Sequence, residues 1–69
     1  MPSSVIASFN YDAAHARLTI VFQTGRVYEY YAVPAEVVDE FRRVTSKGSF
    51  FNARVRDRYP FREITAAAG

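Results

Sequence analysis

The side chains best suited to bind a charged partner are concentrated near the end of the chain, in the stretch SFFNARVRDRYPFR from Ser49 to Arg62. This stretch contains four arginines and four aromatic residues but a single acid, Asp57. Guanidinium groups bind phosphate through paired hydrogen bonds, and aromatic rings stack on unpaired bases. The pattern is therefore typical of a surface that binds a polyanion. Arginine stems that cover apolar surface while their heads lie in water would produce the same pattern.

Charge is distributed unevenly along the 69 residues, although the net charge is only +2. Residues 1–41 carry two arginines and five acids, whereas residues 42–62 carry seven basic residues and one acid. Such asymmetry favours a polyanionic partner, bound by phosphate neutralisation with little reading of base identity. We expect RNA or another nucleic acid to contact Arg42, Arg43, Lys47, Arg54, Arg56, Arg58 and the better-exposed aromatic Tyr31.

No set of residues has the spacing of a catalytic site. The one histidine, His15, lies in a predicted turn without a carboxylate, serine or metal-ligand partner at a useful spacing. The sequence contains no glycine-rich phosphate loop and no nucleophile elbow. Because it has no cysteine, it can form neither a disulfide nor a thiolate metal site. We expect a binding module that is not an enzyme and uses no cofactor or metal.

Length and composition indicate one small globular domain. With 49% apolar and 16% aromatic residues, the chain is too hydrophobic for a disordered segment. Its 69 residues lie near the lower size at which a core alone stabilises a fold. Apolar runs are short, and no export signal opens the sequence. We therefore expect no membrane association and a cytoplasmic location.

The first half of the chain is predicted to form a three-stranded meander. Apolar and aromatic residues alternate with polar ones along residues 5–12, 18–22 and 27–31. The loop Gln23-Thr24-Gly25 fits a three-residue hairpin in which Gly25 is left-handed, and residues 13–16 fit a four-residue loop. The second hairpin is then predicted to pair Phe22–Arg26, Val21–Val27, Ile20–Tyr28, Thr19–Glu29 and Leu18–Tyr30. The first is predicted to pair Asp12–Arg17, Tyr11–Leu18, Phe9–Ile20 and Ala7–Phe22.

Two helices are predicted to cover the apolar face of this sheet. Pro34 suits a first helical turn, and apolar residues recur at helical spacing from Val37 to Val44. Ser46 or Ser49 can cap a second helix that ends at Pro60, with Phe51, Val55 and Tyr59 on one stripe. Arg54, Arg56 and Arg58 also alternate with Val55, Asp57 and Tyr59. A fourth strand within residues 50–59 is therefore the alternative. The predicted fold class is α+β, a three-stranded antiparallel β-meander followed by two α-helices packed on one face.

The tyrosines of the third strand allow two interpretations. Tyr28 and Tyr30 could stack unpaired bases, as aromatic residues on a sheet can. The predicted register instead places them on the face of Leu18 and Ile20, where they would pack against the helices. A protein-interaction module is a second functional hypothesis, with a partner docked on an edge strand or on the outer patch of Val21, Val27 and Tyr31.

The order of these motifs resembles the KTSC domain family. The resemblance lies in Ile6, Tyr11-Asp12, Gly25, Tyr28-Glu29-Tyr30, Val33-Pro34, Ser46-Lys47-Gly48, Phe51-Asn52, Arg56 and Tyr59-Pro60. It implies a single domain over residues 3–64. Residues 65–69, which end in Ala66-Ala67-Ala68-Gly69, are expected from their composition to form a flexible tail. The resemblance also implies RNA as a suspected partner, since RNA binding has been suggested for this family. Its motif residues, expected to be structural, are Tyr28, Tyr30, Pro34, Ser46, Gly48, Phe51, Asn52 and Tyr59.

Overall fold

A four-stranded antiparallel sheet and two helices make up the domain. The computed structural model describes residues 5–65. Its elements are β1 (Ile6–Asp12), β2 (Arg17–Phe22), β3 (Val27–Tyr30), α1 (Ala35–Arg43), α2 (Lys47–Arg54) and β4 (Phe61–Glu63). The strands lie in the order β1-β2-β3-β4. The predicted α+β class, with a meander followed by two helices, is confirmed.

The second hairpin has the predicted register. Val21 pairs with Val27, Ile20 with Tyr28, and Leu18 with Tyr30. Gly25 has a φ of 93°, and its N–H donates to the carbonyl of Phe22 at 2.9 Å. The loop therefore needs the left-handed residue that glycine supplies at no steric cost.

The first hairpin departs from the predicted register at one end. The pairs of Asp12 with Arg17, Tyr11 with Leu18 and Phe9 with Ile20 are as predicted. The pair Ala7–Phe22 is wrong, because a β-bulge between Ile6 and Ser8 places Ile6 opposite Phe22. An extra residue in one strand reverses the alternation of side chains beyond it. Ile6 is therefore buried, whereas Ala7 is exposed.

The second helix is shorter than predicted. It ends at Arg54, because the N–H groups of Val55 and Arg56 both donate to the carbonyl of Phe51 and close the last turn. Residues 55–58 form a turn, so the alternative of a strand within residues 50–59 is also wrong. Val55 is nevertheless fully buried and Tyr59 half-buried, as the predicted stripe required.

The fourth strand lies further along the chain and was not predicted. β4 pairs with β3, Tyr30 opposite Phe61 and Tyr28 opposite Glu63. Thr65 continues this edge, since its hydroxyl oxygen accepts a hydrogen bond from the Val27 N–H at 2.8 Å. Residues 66–69 of the predicted tail lie outside the described residues.

Both helices pack on the same face of the sheet. Pro34 stands at the N-cap of α1, just before the helical turn that was predicted to include it. Phe41 of α1 contacts Phe9, with 4.5 Å between ring centroids, and Phe51 of α2 contacts Tyr30 at 5.4 Å. Leu18 of β2 is fully buried beneath them. Burial of such large side chains contributes about 1.5–3 kcal/mol each.

Candidate functional site

Lys47, one of the predicted phosphate ligands, is engaged within the fold. Its ammonium group donates to the backbone carbonyls of Val44 at 3.1 Å and Arg42 at 3.4 Å. It also lies 5.9 Å from the centroid of the Phe41 ring. A cation at the C-terminal end of a helix satisfies free carbonyls and stabilises the helix dipole. The position of Lys47 is thus explained by the end of α1.

Arg42 and Arg54 form exposed ion pairs. Arg42 lies 3.3 Å from Asp39 on α1, and Arg54 of α2 lies 3.5 Å from Glu40 of α1. The Arg54 guanidinium also covers the Phe50 ring, 5.3 Å from its centroid. Arg54 therefore links the two helices, and its guanidinium group both pairs with an acid and packs on an aromatic ring.

Arg43, Arg56 and Arg58 remain available to a partner. All three are exposed, and no carboxylate within residues 5–65 lies closer than 4.0 Å to their guanidinium groups. Arg56 donates to the Asn52 side-chain oxygen at 3.4 Å, which holds it beside α2. Unpaired arginines are free to neutralise phosphate without first breaking an internal ion pair.

Tyr31 is part of a polar network on the outer face of the sheet. Its hydroxyl donates to Glu29 at 2.8 Å, and Arg17 donates to the same carboxylate at 3.4 Å. The hydrogen bond between Tyr31 and Glu29 lowers the pKa of Glu29 and raises the pKa of Tyr31. Tyr31 is half-buried, so less of its ring is free than the sequence predicted.

A groove of about 600 Å³ opens on the other side, beside β3, β4 and α2. Its aromatic lining comprises Phe22, Tyr28, Tyr30, Phe51 and Phe61. Its main polar groups are Gln23, Arg26, Asn52, Arg56 and Asp57. Tyr28, Tyr30, Phe51, Asn52 and Arg56 belong to the motifs that carry the family resemblance. The fold thus brings together residues that lie far apart in the sequence.

The aromatic side chains of the groove differ in exposure. Tyr30 is 3% exposed, and burial raises its pKa to about 12. Phe61 is 53% exposed, with its ring centroid 5.6 Å from that of Tyr28 and 5.4 Å from that of Tyr30. Tyr28 is half-buried between Phe22 and Phe61. Sequence reasoning missed Phe61, whose place depends on the unpredicted β4.

The remaining motif residues lie at turns and packing contacts. Ser46 is at the N-cap of α2, without a side-chain capping hydrogen bond. A Cβ on Gly48 would approach Val5 to 3.3 Å, so glycine allows a close contact between α2 and the start of β1. Tyr59 packs against the core. Tyr11, whose hydroxyl donates to the Val33 carbonyl at 2.7 Å, fixes the segment before α1.

His15 has a carboxylate partner that the sequence did not reveal. Its Nδ1 lies 2.9 Å from Asp12 across the β1–β2 turn, which corrects the expectation that no acid lies at a useful spacing. The hydrogen bond to His15 lowers the pKa of Asp12. Both side chains are exposed. Within residues 5–65, no cluster of three metal-ligating side chains was found.

The sheet and helices define a small α+β domain, and comparison with known proteins gives its family. The family model of the KTSC domain matches residues 2–59. The chain belongs to the KTSC domain family. The crystal structure of a KTSC domain protein from Yersinia pestis is similar, with a TM-score of 0.84, 32% identity and 93% coverage of each chain.

Curated relatives include much longer proteins. A lysine–tRNA ligase from Nostoc punctiforme is 37% identical over 62 residues, which cover 90% of this chain and 11% of the ligase. A protein from Tsukamurella paurometabola is 40% identical over 57 residues, covering 83% of this chain and 85% of that protein. This chain therefore spans a small part of the ligases that it matches. No helix within residues 5–65 is both long and apolar enough to cross a lipid bilayer.

Proposed function

We propose that this domain is a non-catalytic module that binds RNA, or another nucleic acid, in the cytoplasm. The observation that carries the proposal is that three of the predicted phosphate ligands, Arg43, Arg56 and Arg58, are exposed and have no carboxylate partner in the described part of the chain, as is also true of Arg62. The similarity to lysine–tRNA ligases supports it, since the name of those relatives states an RNA substrate.

The proposed mechanism is neutralisation of backbone phosphates. Each arginine that contacts a phosphate releases condensed counterions, so affinity falls as salt rises. Arg42 and Arg54 are secondary contributors, because a phosphate would have to replace their acid partners. Lys47 contributes least, because its ammonium group is held by the carbonyls at the end of α1.

The test compares two variants that lose equal charge. Changing Arg43, Arg56 and Arg58 to glutamine removes three cations without a carboxylate partner. Changing Arg17, Arg42 and Lys47 to glutamine removes three cations that are engaged within the fold. We expect the first variant to lose most of its affinity for a single-stranded RNA in fluorescence anisotropy. The slope of log K against log salt should flatten by about two units, near 0.7 for each phosphate that is no longer neutralised.

The matched variant should keep most of its affinity and most of its salt slope. Equal losses in both variants would show that net charge, not this arginine group, controls binding. If the wild-type domain fails to bind RNA at about 50 mM salt, where phosphate binding is strongest, the proposed function is wrong.

A protein-interaction module is the second candidate, because the sheet has exposed apolar side chains at its ends. Phe61 on the edge strand β4 is 53% exposed, and Val5 before β1 is 46% exposed. An edge strand can accept an extended segment of a partner chain. Docking of that kind would depend little on salt, which separates it from phosphate binding.

A further inference from the structure

We infer that the groove beside β3, β4 and α2 binds one unpaired nucleobase of the RNA together with a neighbouring phosphate. This inference rests on the proposed function and adds to it a defined site and a preference for single-stranded RNA. The groove volume of about 600 Å³ lies within the range of small-molecule sites, about 300–1,000 Å³.

The aromatic lining of the groove provides a surface on which a base can stack. Phe61 is 53% exposed, and its neighbour Tyr28 is half-buried. A large exposed aromatic ring on an edge strand contributes little to folding and is an aggregation hazard. Stacking of an unpaired base on such a ring is sequence-tolerant, because every base has a π-face.

Two amide side chains lie where they could hydrogen-bond the edge of a stacked base. Gln23 is in the β2–β3 loop and Asn52 is on α2, and both are exposed and line the groove. An amide offers both donors and an acceptor, as base edges do. The Arg56 guanidinium group donates a hydrogen bond to the Asn52 side-chain oxygen at 3.4 Å, which limits the orientations of that amide.

Charge around the groove favours an anionic ligand. Two guanidinium groups, those of Arg26 and Arg56, line it with one carboxylate, that of Asp57. Arg26 is 63% exposed and lies 3.6 Å from Glu63, a pair weak enough to yield to a phosphate. Arg56 has no carboxylate within 4.0 Å among residues 5–65.

The aromatic lining, the amides of Gln23 and Asn52, and the guanidinium groups of Arg26 and Arg56 are the three features of the groove. Together they match a nucleotide better than an apolar peptide. An apolar peptide would cover Phe61 but would leave Arg26 and Arg56 unused and partly desolvated, which is unfavourable. An unpaired nucleotide uses all three features: its base stacks on the aromatic lining, the base edge bonds the amides, and its phosphate contacts the arginines. Duplex RNA cannot place a base in the groove without unpairing it.

The test separates recognition of bases from recognition of phosphates. Fluorescence anisotropy at about 50 mM salt compares a ten-nucleotide single-stranded RNA with an abasic oligomer of equal length and charge. We expect the wild-type domain to bind the RNA about tenfold more tightly, the effect of one stacked base. Phe61→Ala should abolish that difference and leave the affinity for the abasic oligomer unchanged.

Two further variants serve as controls. Phe61→Leu keeps apolar volume but removes the ring, so it should behave like Phe61→Ala if stacking is responsible. Thr19→Ala changes a side chain on the outer face of the sheet, opposite Glu29, and should leave the tenfold difference in place. Circular dichroism melts confirm that each variant remains folded.

The outcomes distinguish the two proposals. If the wild-type domain binds RNA and the abasic oligomer equally, or if Phe61→Ala retains the difference, the groove inference is overturned while RNA binding stands. If neither oligomer binds, the proposed function is wrong, and the inference that rests on it falls as well.

Discussion

At the residue scale, the basic side chains of residues 42–62 differ in what lies within reach of each charge. Lys47 stabilises the end of α1, and Arg54 of α2 forms an ion pair with Glu40 of α1. Arg43 and Arg58 lack such partners within the described residues. The sequence predicted the whole basic group but not this division, since the distance from Arg54 to Glu40 depends on how the helices pack.

Tyr28 and Tyr30 should respond differently to truncation. Tyr30 is 3% exposed, so Tyr30→Ala should destabilise the domain by about 3–5 kcal/mol, as other buried aromatic truncations do. Tyr28 is half-buried, so Tyr28→Ala should lower the free energy of unfolding by less than half as much. Urea denaturation measures both free energies of unfolding, and Tyr30→Phe serves as the conservative control. Equal losses for the two alanine variants would contradict the described burial.

Glu29 should link stability to acidic pH. The hydrogen bond from Tyr31 lowers its folded-state pKa below the ordinary value of 4.5. Its contribution to stability is therefore complete above pH 4.5 and is lost as pH falls through the lower, folded-state pKa. Tyr31→Phe should raise the pKa of Glu29, measured by NMR titration of its carboxyl carbon. An unchanged pKa would show that Arg17 alone holds the carboxylate.

At the element scale, the long strands and the first helix follow from the sequence, whereas β4 and the end of α2 do not. Period-2 alternation and the glycine loop determine the register of β2 and β3. A three-residue strand such as β4 is too short to show a period, and its place depends on pairing with β3. The bulge near Ala7 depends on packing of Ile6. Because Phe61 lies on β4, the groove could not be predicted either.

The β2–β3 loop provides a test of the hairpin. Gly25 has a φ of 93°, and a Cβ at this residue would have no neighbouring heavy atom within 4 Å, so a side chain there meets conformational strain but no steric overlap. Gly25→Val should cost at least about 1 kcal/mol in free energy of unfolding, because β-branched residues tolerate this region poorly. Gly25→Asn should cost less, since asparagine adopts left-handed conformations more readily. Equal losses would contradict this explanation.

At the scale of the whole molecule, a thin two-layer domain separates its possible binding surfaces. Its shortest dimension is 18 Å, consistent with one sheet and one layer of helices. The outer sheet face carries the paired charges of Arg17 and Glu29, whereas Arg56 lies at the groove on the other side. For the RNA binding that we propose, this arrangement favours approach from the groove side.

The most direct test of the central claim is an NMR titration of the ¹⁵N-labelled domain with a ten-nucleotide single-stranded RNA at about 50 mM salt, where phosphate binding is strong. We predict shifts in the amide signals of Arg43, Arg56 and Arg58 and of the groove residues Asn52 and Phe61. Signals of Asn10 and Thr19, which pair on the outer face, should remain unchanged. Absence of shifts at micromolar RNA, or shifts confined to the outer face, would contradict the proposal that this domain binds RNA through its unpaired arginines.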